Sequence, residues 1–352
     1  MKLNDLIAHT SEWLKGTGPN ADIVISSRIR LARNLDKVPF PHWANKKQRE
    51  ETLEAIRATL DKTGYLKEAI LLELKDLDNV DKQFLIERHL ISFEHAKSQD
   101  SRAVFIDEEE ILSVMINEED HLRMQVMQSG FNLFEAWSII NSIDDALAKE
   151  LSFAFSKDWG YLTACPTNTG TGMRGSVMLH LPALVFSRQI NRVLAAIAKL
   201  QFTTRGFYGE GTEASGNFFQ ISNQVSLGHN EEETIANING LIRQIIEQEE
   251  AGRQAILTHD RVMLEDKIWR GLGTLRSAHI ISSQETIELS SLIRLGCDLQ
   301  LIKNIDRRTI NELFILTQPA HLQKLEGKKL TSQERDLKRA ELIRNKLGAM
   351  SF

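Results

Sequence analysis

The sequence predicts an α+β protein, with an antiparallel β-sheet flanked by helices in front and an all-helical region behind. Short apolar runs separated by turn residues recur between residues 103 and 225. Stretches with helical spacing of apolar residues interleave with them. From about Asn230 the strand signals fade, and helical patterns follow one another to Leu347.

Each element follows from its pattern. Residues 47–62 read as a helix, with Leu53, Ile56 and Leu60 on one face. Ala103–Ile106, Ile111–Ile116 and Leu122–Met127 read as strands, the first two joined by the acidic turn Asp107–Glu110. Phe131–Leu151 is a helix by the spacing of Phe134, Trp137, Ile140, Ile143 and Leu147. Tyr161–Cys165 and Ser176–Leu181 read as strands around a Thr/Gly loop, Val185–Leu200 as a helix, and Phe218–Val225 as a strand. Behind them, Gly271 and Gly273 are the expected break in the helical region. The expected domains are residues 1–255 and 256–352.

The chain has 352 residues, 42% of them apolar, enough for a sizeable core without staples. Its net charge of −5 excludes a global pull toward nucleic acid or anionic membrane. Two distant cysteines, Cys165 and Cys297, form neither a disulfide framework nor a zinc spacing. With no signal-peptide core and no membrane-length apolar run, a soluble cytoplasmic protein is expected.

Against the acidic whole, one window stands out. Trp159 to Gly209 contains no Asp or Glu, yet holds Arg174, Arg188, Arg192, Lys199 and Arg205. Such a window is a local positive field. GTGMRG, Gly170 to Gly175, matches the dinucleotide fingerprint in letters. That fingerprint opens a helix, whereas the SVMLHL that follows reads as a strand, so the nucleotide reading by this route is rejected.

Three further segments carry chemistry. In Ser26-Ser27-Arg28-Ile29-Arg30, alternation puts Arg28 and Arg30 on one face, where an anion such as a polyphosphate would relieve their repulsion; a solvated basic edge is the plain alternative. Asn117 to Arg123 reads NEEDHLR, and alternation sends Glu119, His121 and Arg123 to one face. A carboxylate there suits a cationic substrate, although a charged hairpin turn explains it as well. Finally, Arg205 to Glu213 is a Gly-rich loop holding an arginine and two carboxylates, Glu210 and Glu213, able to close over a substrate, with a plain hairpin loop as the alternative.

Together these segments resemble the phosphagen kinases, the family of arginine and creatine kinases. SSRIR (26–30), NEEDHLR (117–123), CPTNTGT with Arg174 (165–174) and RGFYGE (205–210) occur in the family's order. The chain is more similar still to the bacterial protein-arginine kinases. Its S-x-R-x-R segment starts at residue 26, leaving no room for the helical domain that precedes it in the wider family. Its C-terminal region carries RDLKRA, with Arg335, Asp336 and Arg339.

The resemblance implies a phosphagen-kinase-like catalytic domain followed by a helical domain for dimerisation and allosteric phosphoarginine binding at Arg335, Asp336 and Arg339. It implies transfer of the γ-phosphoryl of ATP to protein arginines, with Mg2+ held mainly by the phosphates and no protein metal ligand. Glu119 and Glu210 would be catalytic, with Cys165 beside the guanidinium. ATP would be held by Ser26, Ser27, Arg28, Ile29, Arg30, His89, Arg123, Arg174, Gly175, Ser176, Val177, Met178, Arg205, Gly206, Phe207, Tyr208, Gly209 and Glu210. It further implies a homodimer, an activator protein, and a Clp-type protease and heat-shock repressor downstream. A kinase for a free guanidine and an idle phosphoarginine-binding adaptor are the competing readings.

Overall fold

The computed structural model describes residues 2–64, 69–97, 100–206 and 216–348. A short α1 (Asp5–Ala8) and a 3-10 turn, Glu12–Leu14, lead into β1 (Val24–Arg33). Next come α2 (Lys46–Thr63), β2 (Ile70–Glu73), α3 (Asn79–Glu87), α4 (Phe93–Lys97), β3 (Ala103–Ile106), β4 (Leu112–Ile116), β5 (Leu122–Ser129) and α5 (Leu133–Ala148). A hairpin of β6 (Phe155–Ser156) and β7 (Gly160–Tyr161) precedes β8 (Met173–His180), α6 (Pro182–Phe186), α7 (Ile190–Lys199), β9 (Phe202–Arg205) and β10 (Phe218–Asn223). The remainder is helical: α8 (Glu231–His259), α9 (Arg261–Ser277), α10 (Ser283–Asp298), α11 (Arg307–Leu316), α12 (Pro319–Glu326) and α13 (Ser332–Gly348).

Eight strands form one sheet in the order β2-β3-β4-β5-β1-β8-β10-β9. Every pairing in it is antiparallel, as the sequence predicts. One face is apolar: Ile29, Leu31, Met124, Val126, Val177 and Leu179 pack with Leu53 of α2, Ile140 of α5 and Ile238 of α8. Each such side chain contributes about 1.5–3 kcal/mol by leaving water. On the other face, Ile25, Met127, Met178 and Phe218 meet Trp13 and the C-terminal Leu264, Ile293 and Phe314. The polar side chains that continue this face form the cleft described below.

Local chemistry explains the boundaries. Asn45 and Asn230 open α2 and α8 with reciprocal capping boxes, and α2 ends at Gly64 with φ 72°. The strands expected at 103–106, 111–116 and 122–127 are present within two residues of those bounds. Other expectations are corrected. Tyr161–Cys165 is not a strand beyond Tyr161; the chain turns into a 3-10 helix at Pro166–Asn168, because Pro166 cannot donate to a ladder. The helix expected over 185–200 is two helices, parted where Arg188 takes φ 59°. Gly271 and Gly273 do not break the helical region but lie inside α9. Gly271 faces α10, where a Cβ would meet Leu289 Cδ2 at 3.5 Å in ordinary van der Waals contact. The breaks fall instead at side-chain caps such as Ser282 and Asp306.

Helix α8 runs unbroken through residues 255 and 256, with Ile242 and Ile246 in the sheet core and Ile256 in the C-terminal one. Among the described residues no helix is long and apolar enough to cross a membrane.

Candidate active site

The pleat of β1 sends Arg28 and Arg30 into the cleft, while Ile29 enters the apolar core. Ser27 also points away, its Oγ donating to Gly130 O at 2.8 Å. Register then adds neighbours. Arg174 of β8 stands directly opposite Arg30, and Arg123 of β5 opposite Ala32. Arg205 of β9 pairs with Gln220 of β10. Arg30, Arg123, Arg174 and Arg205 line a cavity of about 630 Å³, and Arg28, Arg30, Arg123 and Arg205 line a second of about 400 Å³ that continues from it.

This cluster is under-compensated. Nε and Nη2 of Arg30 are buried with no hydrogen-bond partner. Arg28 donates from Nε to Ser176 Oγ, an uncharged acceptor, at 3.3 Å. Burial, then the guanidinium groups of Arg123, Arg174 and Arg205, push Arg28 down to about 9. The same causes, with Arg28 added, hold Arg30 well below its ordinary value. A guanidinium scarcely deprotonates in a protein, so Arg28 and Arg30 stay charged among like charges, which an added anion would offset. Arg123 differs: its Nη1 donates to Glu118 Oε2 at 2.6 Å, and Glu118 also accepts from Ser92.

The β4–β5 connection places the acids. Asn117 adopts φ 58° and its N–H closes the turn on His121 O at 3.0 Å. Because 117–120 is a turn, strand alternation starts only at Leu122, which corrects the expected shared face. Glu119 and Arg123 both line the larger cavity, but His121 is buried. Its Nδ1 accepts from Leu35 N at 3.0 Å and its Nε2 lies 3.0 Å from Pro39 O. Asp120 accepts from Asn34 Nδ2 at 2.6 Å and from Ala164 N at 2.7 Å. One carboxylate thus ties the acidic turn to the loop bearing Cys165, whose side chain also lines the cavity. Burial and then the neighbouring Asp120 raise the Glu119 carboxyl above its ordinary value.

At the far end, His89 takes φ 61° and its ring meets Trp13 edge-on at 5.3 Å. Burial, then Arg28, push its imidazole down to about 3, so it is neutral at physiological pH. Ser26, Arg28, His89, Ser176, Met178 and Gln220 converge on this corner. Gly175 and Val177 face the core side instead; a Cβ on Gly175 would meet Ile238 Cδ1 at 2.6 Å. Gly206 is buried after β9, whereas Phe207, Tyr208, Gly209 and Glu210 lie outside the described residues.

Arg335, Asp336 and Arg339 share a helix, α13, far in sequence from the cleft. Arg339 is not on a solvated face: it is buried, donating from Nε to Thr317 O and from Nη1 to Ile281 O, both at 2.8 Å, and pairing with Asp336. Arg335 is half-buried and donates to Leu330 O at 2.9 Å.

Sequence reasoning missed Glu118 and Asp120 as working groups, because three adjacent acids differ only by where a turn aims them. It also missed Arg33, buried against Asp144 at 2.7 Å beneath the Tyr161 ring, which fixes the end of β1. Chemically, the arrangement offers fixed cations for a polyphosphate beside a carboxylate for a cation. Among the described residues no cluster of three His, Cys, Asp or Glu could hold a metal ion.

Known proteins resemble the chain in two parts. Residues 51–252 match the C-terminal catalytic domain of ATP:guanido phosphotransferases, and residues 261–351 match the C-terminal domain of the protein-arginine kinase McsB. The chain is 49% identical to the protein-arginine kinase of Halothermothrix orenii, covering 99% of this chain and 100% of that protein. It is 48% identical to the protein-arginine kinase of Symbiobacterium thermophilum over the same shares of the two chains. Among solved structures, lombricine kinase superposes with a TM-score of 0.59 at 26% identity, covering 65% of this chain and 66% of that one. The duplicated taurocyamine kinase of Schistosoma mansoni, with transition-state analogue components, gives 0.60 at 26% identity over 71% of this chain, which spans only 38% of it.

Proposed function

This chain belongs to the ATP:guanido phosphotransferase family and, within it, to the protein-arginine kinases, and from that premise we propose how its cleft works. It transfers the γ-phosphoryl of ATP to arginine side chains of proteins. The observation that carries the reading is the convergence of Arg28, Arg30, Arg123, Arg174 and Arg205 on a cleft that Glu119 and Cys165 also line.

The arginines hold the polyphosphate and stabilise the charge of the transferring group, which suits a reaction governed by positioning and electrostatics. Trp13, His89 and Met178 lie at the far corner, suited to the base of the nucleotide. Mg2+ comes with the phosphates. Glu119 orients the acceptor guanidinium. An arginine nitrogen forms the new P–N bond as the bond from the γ-phosphorus to the bridging oxygen breaks, and ADP leaves. The nitrogen's proton becomes acidic only as that bond forms, and Glu119 accepts it; the raised affinity of its carboxylate for a proton favours this role. Glu210 is the second orienting carboxylate.

We further propose a phosphoarginine site at Arg335, Asp336 and Arg339, a dimer through the helical domain, division of the chain near residue 255, and a cytoplasmic role in marking proteins for Clp-type proteolysis and controlling a heat-shock repressor through an activator. An acceptor that is a free guanidine is the main rival.

The test incubates the chain with magnesium ATP and a protein acceptor, alongside free arginine and creatine. Products are mapped by mass spectrometry at neutral to mildly basic pH. Phosphate on protein arginines is expected, reduced roughly 10²–10⁴-fold in Glu119→Gln. Transfer to free guanidines alone would reject the protein-kinase reading.

A further inference from the structure

The wall of the guanidine end continues outward into an exposed row of rings. His42 lines the same cavity as Glu119 and Cys165. Its ring lies 5.6 Å from that of Trp43 and 6.3 Å from that of Phe40. Trp43 is 78% exposed, and nothing among the described residues covers it. Indole faces left in water mark places where another surface docks.

The segment bearing these rings is rigidly held. Trp43 N and Ala44 N both donate to Phe40 O, at 2.8 and 2.9 Å. Pro39 O is bound to the His121 ring, so the segment is fastened to the hairpin that carries Glu119. On the other side, Asn117 Nδ2 donates to Arg49 O at 2.9 Å, and Arg49 donates to Ala44 O at 2.6 Å. A preorganised aromatic surface binds without the cost of ordering a loop.

We propose that His42 and Trp43 form a docking platform for the polypeptide on either side of the accepting arginine, and that it favours segments with apolar residues next to that arginine. This rests on the kinase reading above. The occupant follows from continuity with the site: a side chain reaching Glu119 between His42 and Cys165 brings its own backbone out past His42. Free arginine has no flanking residues and gains nothing from Trp43. The platform therefore selects protein-borne arginine, and among proteins it selects segments whose apolar residues are not buried.

The experiment uses the full chain, magnesium ATP and two short unstructured peptides, each with one arginine, flanked by leucine in one and by serine in the other. The leucine peptide is expected to have the lower KM. Trp43→Ala should raise that KM about tenfold, the scale of one interface aromatic, with kcat and the KM for ATP held. The serine peptide should be indifferent to the change, and Trp43→Phe should recover most of the loss. An unfolded variant would lower kcat for both peptides alike and show in its melting curve; the surviving Trp43→Phe would then carry the comparison. Equal KM values for both peptides, or a leucine-peptide KM that ignores Trp43, would overturn the platform while leaving the kinase reading intact. A dimer lost in Trp43→Ala with KM unchanged would assign the surface to a second copy of the chain and overturn it too. No transfer to either peptide by the unsubstituted chain would overturn both readings.

Discussion

Two groups of arginines, one buried and one half-buried, divide this molecule. At the junction between the sheet and the C-terminal helices, Arg294 donates to Asn311 Oδ1 at 3.1 Å, Asp298 Oδ2 at 3.1 Å and the carbonyl oxygens of Ala21 and Asp22. Nearby, Arg88 meets both oxygens of Glu110 and also His9 O and Ser11 Oγ, each at 3.0 Å. In the cleft, Arg30 leaves Nε and Nη2 without a partner, and Arg28 has a serine where Arg294 has a carboxylate. The residue type is the same, although Arg294 and Arg88 are fully buried while Arg28 and Arg30 are half-buried at the cleft. The partner set differs as well, and it separates arginines that hold the fold from arginines that await an anion.

Breaking the junction should cost most. Arg294→Ala takes one of two guanidinium partners from buried Asp298, Arg307 remaining at 2.6 Å, and leaves Ala21 O and Asn311 Oδ1 without that donor, so it should destabilise the chain by about 2–3 kcal/mol. Denaturant midpoints measure this; a loss below about 1 kcal/mol would make the contrast empty. Arg30→Ala should behave oppositely. Transfer should slow roughly 10²–10³-fold, yet the melting temperature without nucleotide should not fall, because the change removes an uncompensated charge. A large drop in melting temperature would show that Arg30 supports the fold after all.

A smaller effect sharpens the comparison on the acid side. His95 is buried behind Glu118, and burial pushes its imidazole down to about 4. The unfolded chain takes up that proton below about 6.5 while the folded chain does not. The stability His95 provides is therefore present above pH 6.5 and is lost as pH falls toward 4, at about 1.4 kcal/mol per pH unit. His95→Gln should flatten urea-derived stability between pH 6.5 and pH 5 by about that slope. An unchanged slope would mean His95 takes up its proton freely in the native state.

Much of this was legible along the chain. The alternation in SSRIR is a property of two covalent steps, so it places Arg28 and Arg30 together in any strand. The acid-free window marked a local positive field, but only the family motifs singled out Arg174 and Arg205 from Arg188, Arg192 and Lys199. Less legible was NEEDHLR, where a turn at Asn117 cancels the alternation and sends Glu118 to Arg123 and His121 to Pro39. In the RDLKRA helix, four-residue spacing puts Arg335 and Arg339 on one side of α13, but only packing against Thr317 and Ile281 buries Arg339.

The sequence by itself thus determined the fold class, most of the central strands, the family and the arginines of the cleft, because periodicity and short motifs act over a few neighbouring positions. Tertiary structure alone decided which arginines find carboxylates, which of three adjacent acids pairs with Arg123, and that Gly271 and Gly273 sit inside α9 rather than at a break. Those outcomes depend on partners distant in sequence, such as Arg294 with Ala21 or Asn34 with Asp120, and a local pattern carries no information about which distant segment arrives beside it.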